Sequence, residues 1–133
     1  MLKRAKVRAL ALKKPVQLRL GDVQRLDLPD QSFDSVVSTF VFCSVPNPVL
    51  GLQEIRRVVK PGGRLYMLEH MRSEKPAVGK IMDLLNPLVV RIMGANINRR
   101  TVENVRISGL EIVQVEDLAG EGIFKHIIAC RSN

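Results

Sequence analysis

The sequence predicts a single α/β domain whose sheet is mostly parallel. Its 133 residues are enough for one domain with its own core, and 46% of them are hydrophobic and 26% charged, which is typical of a globular protein. Runs of β-branched or alternating apolar residues are separated by segments of helical spacing, and two strand-like runs end the chain. This alternation is typical of a parallel sheet with crossover helices.

The first third of the chain predicts a helix, a strand, a loop and a second strand. Apolar residues recur at helical spacing over residues 1–12, and Pro15 ends this helix. Residues 16–20 alternate apolar with polar side chains, which predicts a strand with one solvated face. A turn-rich loop over residues 28–32 leads into the apolar, β-branched run 36–42, which predicts a strand buried on both faces.

The remaining elements follow from caps and stop signals. Asn47 and Pro48 suit the N-cap and the first position of a helix that ends at residues 61–63, and residues 64–69 predict the next strand. Two further helices and two strands follow. They cover residues 78–93 with a break at Pro87, residues 98–107 with Thr101 as a cap and Gly109 as a stop, residues 112–115, and Phe124–Cys130.

The formal charge of +8 is uneven, since six cations and no acids occupy Met1–Lys14. This block could attract the phosphates of nucleic acid or lipid, or it could be the solvated face of a helix. No aromatic residues interleave with the cations, so nucleic acid is not an expected partner. The six cations are Lys3, Arg4, Lys6, Arg8, Lys13 and Lys14.

Cysteine spacing and hydropathy argue against a metal site, a transmembrane segment and a secretion signal. Cys43 and Cys130 fit no metal-ligand spacing, so no metal site is predicted and two reduced thiols are expected. No apolar run is long enough to cross a bilayer, and the N-terminus lacks the apolar stretch of a secretion signal. We therefore expect a cytoplasmic protein, for which peripheral contact with a membrane stays open.

Several motifs, in this order and at these spacings, carry a family resemblance. They are Gly21-Asp22-Val23, Leu26, Pro29-Asp30, Ser32-Phe33-Asp34, Glu54-Ile55, Arg57-Val58, Lys60-Pro61-Gly62-Gly63, Leu65 and Leu68-Glu69-His70. The chain resembles class I S-adenosylmethionine-dependent methyltransferases of the ubiquinone/menaquinone-biosynthesis group, and the motifs cover nearly all of it. A second, partial resemblance to membrane-associated thiol methyltransferases rests on Phe42-Cys43-Ser44-Val45, Glu69-His70 and residues 94–99.

The resemblance implies a truncated Rossmann-like sheet. The chain corresponds to strands three to seven of the family, mostly parallel with an antiparallel last strand. The family's first two strands and its Gly-rich turn, which receives the methionine part of the cofactor, have no counterpart here, so residues 1–133 are expected to form one partial domain. Gly62-Gly63 is no substitute, because it ends a helix and leads into a strand. Truncation, proteolysis, a split gene and a misassigned start codon all stay open.

The resemblance also assigns site residues. Asp22 would accept a hydrogen bond from the adenine amino group and the Val23 N–H would meet a ring nitrogen, although a loop Asp can instead cap its own turn. Thr39 and Phe40 would border the adenosyl and methionyl groups, with a plain core role for Phe40 as the alternative. His70 would take a proton from the acceptor, or else form a structural hydrogen bond. S-adenosylmethionine is the expected cofactor, and weak or no binding is expected from this chain alone.

Other polar residues are given structural roles. Cys43 is read as a packed small side chain and His126 as structural. Asp34 is expected to bond to loop N–H groups, and Arg56 and Arg57 are expected on the exposed side of their helix. The apolar segment 80–96 suits either a lipophilic acceptor or membrane surface, or a core helix.

The missing strands predict an unpaired edge on the strand at residues 36–42. Such an edge recruits another strand, so we expect a homodimer, a strand-exchanged oligomer or direct pairing with residues 16–20. Three functions stay open at this point. They are methyl transfer to a small or lipid-like acceptor within a larger parent protein, a non-catalytic oligomeric remnant, and a basic module that binds anionic surfaces.

Overall fold

The structure is a computed structural model, and it describes residues 2–13, 15–119 and 122–132. The elements in chain order are α1 (Leu2–Ala11), β1 (Phe33–Thr39), α2 (Pro48–Val58), β2 (Val59–His70), α3 (Pro76–Met93), α4 (Thr101–Ile107), β3 (Glu111–Ala119) and β4 (Phe124–Cys130). Met1 and Lys14, which belong to the predicted basic block, lie outside the described residues.

The four strands form one open sheet in the order β1-β2-β4-β3. The β1–β2 pair is parallel, and β4 runs antiparallel to both of its neighbours. Three strands therefore share one direction and the last is reversed, which confirms the predicted sheet. The carboxyl ends of β1 and β2 consequently meet at one rim of the sheet.

The core lies on one face of the sheet, where β2 and β4 alternate buried with half-buried side chains. Helices α2 and α4 contact each other and pack beside this face. The buried cluster comprises Phe42, Val45, Leu52, Ile55, Val59, Leu65, Met67, Met71, Val105, Leu110, Ile127 and Ala129. These apolar contacts supply the main driving force for folding.

The predicted strand at residues 16–20 is wrong. The segment is irregular, and Val16, Leu18 and Leu20 are exposed. Alternation alone does not make a strand, because its backbone groups need a partner, and no strand of the described residues pairs with this segment. Direct pairing between residues 16–20 and β1 is therefore also wrong.

The strand predicted at residues 36–42 is displaced, since β1 begins at Phe33 and ends at Thr39. Burial on both faces is wrong, because only Ser38 is buried and Val37 is 75% exposed. The reason is position in the sheet: β1 is an edge strand and pairs with β2 alone. The predicted unpaired edge is confirmed for the described residues.

Three helix boundaries differ from prediction. The helix α2 ends at Val58, and residues 61–63 already lie within β2. Pro87 does not break α3, which is continuous although proline removes one backbone donor. Thr101 is the first residue of α4 and is buried, while Arg100 holds the cap position. The predicted Asn47 cap is confirmed, since its Oδ1 accepts from the Leu50 N–H at 3.1 Å.

Candidate functional site

Three predicted site residues meet at the carboxyl rim of β1 and β2. Thr39 ends β1, His70 ends β2, and the Phe40 N–H continues the parallel ladder by donating to the Leu68 carbonyl at 2.9 Å. Open α/β sheets bind ligands just beyond the carboxyl ends of their strands. The structure therefore brings Thr39, Phe40 and His70 to the rim where a ligand is expected.

A buried carboxylate that belongs to the family motifs, but to which the sequence analysis assigned no role, holds this rim. Glu69 is fully buried, and its Oε1 accepts hydrogen bonds from the N–H groups of Val41 at 2.9 Å and Phe42 at 3.2 Å, and from the Ser38 hydroxyl at 3.3 Å. Its Oε2 has no partner among the described residues. The sequence held one signal for this role, which is a glutamate at a buried position of an apolar strand. Carboxylates are rarely buried without a role.

Phe40 adopts a left-handed backbone conformation, with φ of 52°. Non-glycine residues rarely adopt such angles, and those that do cluster at ligand sites. Its ring is 44% exposed and lies 6.5 Å from the His70 ring and 6.3 Å from the Phe124 ring, so Phe40 is not a plain core residue. The backbone bonds to Glu69 fix the chain just after this turn.

The His70 ring lies in this aromatic cluster with one nitrogen unsatisfied. Its Nε2 is buried and forms no hydrogen bond within the part of the chain that the structure describes. A buried nitrogen without a partner is costly, so such an atom is suited to bonding a ligand or an ordered water.

The Asp22 loop is held by hydrogen bonds of its own. Asp22 Oδ1 accepts from the Gln24 N–H at 2.9 Å, which is the turn-capping geometry expected as the alternative to a ligand role. Gln24 Oε1 in turn accepts from the Asn47 N–H at 2.8 Å, which ties the loop to the start of α2. The Asp22 carboxylate is exposed, so local capping leaves it open to solvent.

A cleft of about 400 Å³ joins this loop to the chain after β1. Val23 and Leu26 line it from the loop and Val41 lines it from the rim side, while Asp22, Thr39, Phe40 and His70 are not among its lining residues. The structure therefore places Val23 beside the segment that follows β1, whereas neither Asp22 nor His70 lines this cleft.

Arg57 organises the same loop, and its predicted exposure is wrong. Its guanidinium donates to the carbonyls of Leu26 at 2.9 Å and Leu28 at 2.8 Å, and to the carboxylates of Asp30 and Glu54. Hydrogen bonds from Arg57 lower the pKa of Glu54. Neighbouring sequence gave no signal for this role, because the loop partners lie 27 to 31 residues away. Arg56, by contrast, is exposed as predicted.

The other polar residues take structural positions. Asp34 pairs with Lys60 Nζ at 2.7 Å rather than with loop N–H groups, and this hydrogen bond lowers the pKa of Asp34. Cys43 is buried, as expected of a packed side chain. His126 lies within β4 and faces Glu116 at 3.8 Å.

Residues 94–99 form a polar bridge from α3 to the chain after β1. The Asn96 N–H and side chain both donate to the Cys43 carbonyl, at 2.8 and 3.2 Å, and Arg99 Nη2 donates to the Val45 carbonyl at 2.9 Å. Asn86 of α3 accepts from the Ile97 N–H at 2.9 Å. Helix α3 is thereby fastened to the segment that leaves the rim.

These features are suited to receive part of a bound cofactor. The cleft beside Val23, the strained Phe40 and the Nε2 of His70, which has no partner among the described residues, offer an apolar wall and an unsatisfied polar atom near one rim. Gly62 and Gly63 lie inside β2, and residues 2–13, 15–119 and 122–132 contain no Gly-rich turn from a strand into a helix.

The strand order, the reversed last strand and the ligand rim define a Rossmann-like α/β protein of the cofactor-binding class. Comparison with known proteins then identifies the family within this class. Residues 1–67 match the family described as a methyltransferase domain. The chain belongs to the class I S-adenosylmethionine-dependent methyltransferases, in the ubiquinone/menaquinone-biosynthesis group.

Individual relatives agree with this assignment. The chain is 29% identical over 132 residues to demethylmenaquinone methyltransferase of Lactobacillus johnsonii, covering 96% of this chain and 54% of the relative. It is 34% identical over 114 residues to the ubiquinone/menaquinone biosynthesis C-methyltransferase UbiE of a Bradyrhizobium species, covering 80% and 45%. It is 36% identical over 91 residues to the rat thiol S-methyltransferase TMT1B, covering 67% and 37%. The chain thus spans about half the length of the quinone-pathway relatives.

Solved structures support the fold. The YcgJ protein of Bacillus subtilis superposes with a TM-score of 0.78 at 16% identity, covering all of this chain and 79% of that protein. The cyclase SpnF superposes with a TM-score of 0.72 at 19% identity, covering 98% and 60%. At these identities the likeness concerns the fold alone, and a cyclase among the neighbours shows that the fold does not fix the reaction.

Proposed function

We propose that this chain supplies the adenosyl-side and acceptor-side walls of a methyltransferase that acts on a small or lipid-like acceptor. One observation carries the proposal: Glu69 locks the chain after β1 so that the strained Phe40 lies beside His70, whose Nε2 has no partner among the described residues. Strain and unsatisfied buried atoms of this kind cluster at ligand sites. S-adenosylmethionine, when bound, supplies an activated methyl group, so the protein mainly has to orient the reactants and exclude water.

Each residue has a role in this proposal. Asp22 accepts from the adenine amino group while its Oδ1 keeps the turn bond to Gln24, and the Val23 N–H meets a ring nitrogen. Thr39 and Phe40 border the ribose and the methionyl chain. The His70 imidazole, when neutral, accepts the proton that an acceptor thiol, phenol or amine must lose.

The names of the relatives support a lipid-like acceptor. Several act in quinone biosynthesis by their names, and another is named a thiol S-methyltransferase. The apolar helix α3, fastened next to the rim through residues 94–99, supports the same class of acceptor. A cytoplasmic location and an acceptor sulfur, oxygen, nitrogen or carbon atom all fit this proposal.

Cofactor binding by the chain alone is proposed to be weak. The methionine end of the cofactor would need a Gly-rich turn from polypeptide beyond these residues, as the twofold greater length of the quinone-pathway relatives suggests. The chain is accordingly proposed to be one part of a larger methyltransferase domain.

Transfer of a tritiated methyl group from S-adenosylmethionine tests this proposal. The acceptors are a demethylated benzoquinol with a short isoprenoid tail and a hydrophobic thiol. We expect no measurable transfer by this chain alone, and transfer by a longer gene product that contains it, which Asp22→Ala and His70→Ala each weaken. Phe33→Ala, on an exposed side chain away from the rim, is the control. Unchanged transfer by both rim variants would contradict the residue roles, and rapid transfer by the chain alone would contradict the need for further polypeptide.

A second function rests on the open edge of β1. If the chain works without further polypeptide, this edge favours a non-catalytic homodimer or a strand-exchanged oligomer. Light scattering after size-exclusion chromatography separates the two functions. A dimer that gives no methyl transfer under any condition would favour this alternative, and a stable monomer would argue against it.

A further inference from the structure

Helix α3 exposes an apolar face, although the side that contacts the rest of the chain carries the polar residues Asp83 and Asn86 beside the buried Met82. We define its inner face as Gly79, Met82, Asp83 and Asn86, the side that contacts the rest of the chain. We define its outer face as Ile81, Leu84, Leu85, Leu88 and Ile92, whose exposed fractions are 57, 79, 46, 57 and 73%. A surface helix normally buries its apolar face and exposes its polar one.

The inner face is held by hydrogen bonds as well as by the buried Met82. Arg72 donates to both oxygens of Asp83 at 2.9 to 3.1 Å, and Asn98 donates to the same carboxylate at 3.1 Å. Gly79 packs so closely on the Arg72 guanidinium that an added Cβ would lie 2.5 Å from Nη1. These contacts fix the rotation of α3, so its outer face cannot simply turn inward.

The outer face is large enough to need a partner. Its five branched side chains recur at positions i, i+3, i+4, i+7 and i+11 and form one continuous stripe along a helix of 18 residues, about 27 Å long. Contiguous exposed apolar patches of this size mark interaction surfaces or membrane contacts. In the described part of the chain, no helix is long and apolar enough to cross a membrane.

Charge favours a lipid surface over an antiparallel pair of two copies of the chain. Lys80 and Arg91 are both exposed and lie on the same flank of the outer face, eleven residues apart. The one acid of α3, Asp83, is held on the inner face by Arg72. If two copies paired antiparallel along this face, Lys80 of one would lie beside Arg91 of the other, and like charges would repel. A negatively charged lipid surface, by contrast, attracts both cations while the stripe enters its apolar layer.

We propose that α3 seats the protein on the surface of an anionic membrane, with the outer face buried among lipid chains and Lys80 and Arg91 at the headgroups. The bridge through residues 94–99 places this contact next to the ligand rim. The inference goes beyond the proposed function, because binding to vesicles is measured without cofactor or acceptor and can succeed or fail independently of methyl transfer.

Vesicle flotation with the full chain tests the proposal. The vesicles contain phosphatidylcholine alone or phosphatidylcholine mixed with phosphatidylglycerol. We expect binding to the mixed vesicles, weaker binding at high salt, and a drop of roughly tenfold or more for each of Leu84→Gln and Leu88→Gln, since each leucine loses its apolar burial. Ile107→Gln, at a 60% exposed apolar residue of α4, is the matched control and should bind like the parent chain.

A second variant separates α3 from the basic helix α1, which could bind anionic lipid on its own. With Lys3, Arg4, Lys6 and Arg8 all changed to Gln, the leucine dependence should persist. Circular dichroism confirms that each variant is folded. The proposal is overturned if the leucine variants float like the parent chain, if no folded variant binds either vesicle, or if the same leucine changes only convert a dimer into a monomer.

Discussion

Two glutamates hold the chain segments that surround the rim. Glu69 does so by accepting from consecutive backbone N–H groups, and Glu54 does so by orienting Arg57 and accepting from the Leu26 N–H at 2.9 Å. Both accept from backbone N–H groups that lie 27 to 28 residues away in the sequence. At the scale of single residues, the site therefore depends on polar groups that do not themselves face the cleft.

Replacing Glu69 tests how the chain after β1 is held. Glu69→Ala should lower the free energy of unfolding by about 2 kcal/mol or more, because buried N–H groups lose their acceptor at about 1–3 kcal/mol each. Glu69→Gln keeps an acceptor oxygen and should retain most of the stability. Urea unfolding measures both variants. Equal stability of Glu69→Ala and the parent chain would show that these bonds do not hold the segment.

Arg57 and Arg56 are neighbours in sequence and offer a matched comparison. Arg57→Ala should lower the free energy of unfolding measurably, since two loop carbonyls and Glu54 lose their donor. Arg56→Ala, on the exposed side of α2, should stay within about 0.5 kcal/mol of the parent chain. Chemical denaturation of the pair decides the point, and indistinguishable losses would refute the organising role of Arg57.

At the scale of helices and strands, the sequence predicted an element correctly where residues close in sequence determine it. The α2 N-cap and the Phe124–Cys130 strand appear as predicted, because a cap satisfies its own helix and β4 pairs on both sides. Residues 16–20 failed because a strand needs a partner that the sequence pattern does not specify. Helix α3 fitted two interpretations, and its exposed apolar outer face together with its hydrogen-bonded inner face shows that it is not a core helix.

The start of α2 gives a test at this scale. Asn47→Ala should lower the free energy of unfolding by about 1 kcal/mol, because the Leu50 N–H loses its cap. Asn47→Asp keeps an acceptor and should restore most of the loss. Gln53→Ala, at an exposed position of the same helix, serves as the control and should change little. Thermal unfolding of the three variants would contradict the capping role if Asn47→Ala matched the control.

At the scale of the whole molecule, the family motifs predicted the sheet and placed Thr39, Phe40 and His70 at one rim. That was possible because these residues end strands, and the ends of neighbouring parallel strands meet. The role of Arg57 was beyond the reach of the pattern, since it comes from contacts between distant segments, whereas Glu69 was signalled only by its position in an apolar strand. The open edge of β1 and the exposed outer face of α3 belong to the same scale, because both are surfaces that need a partner outside these residues.

The central claim is that the Asp22 loop and the rim of β1 and β2 together frame an adenosyl group. Titration of the ¹⁵N-labelled chain with S-adenosylhomocysteine, followed by amide chemical shifts, tests this even if binding is weak. We expect shifts that grow without early saturation and that centre on Asp22, Val23, Thr39 and Phe40. Shifts centred on another part of the surface, with these four amides unmoved, would contradict it.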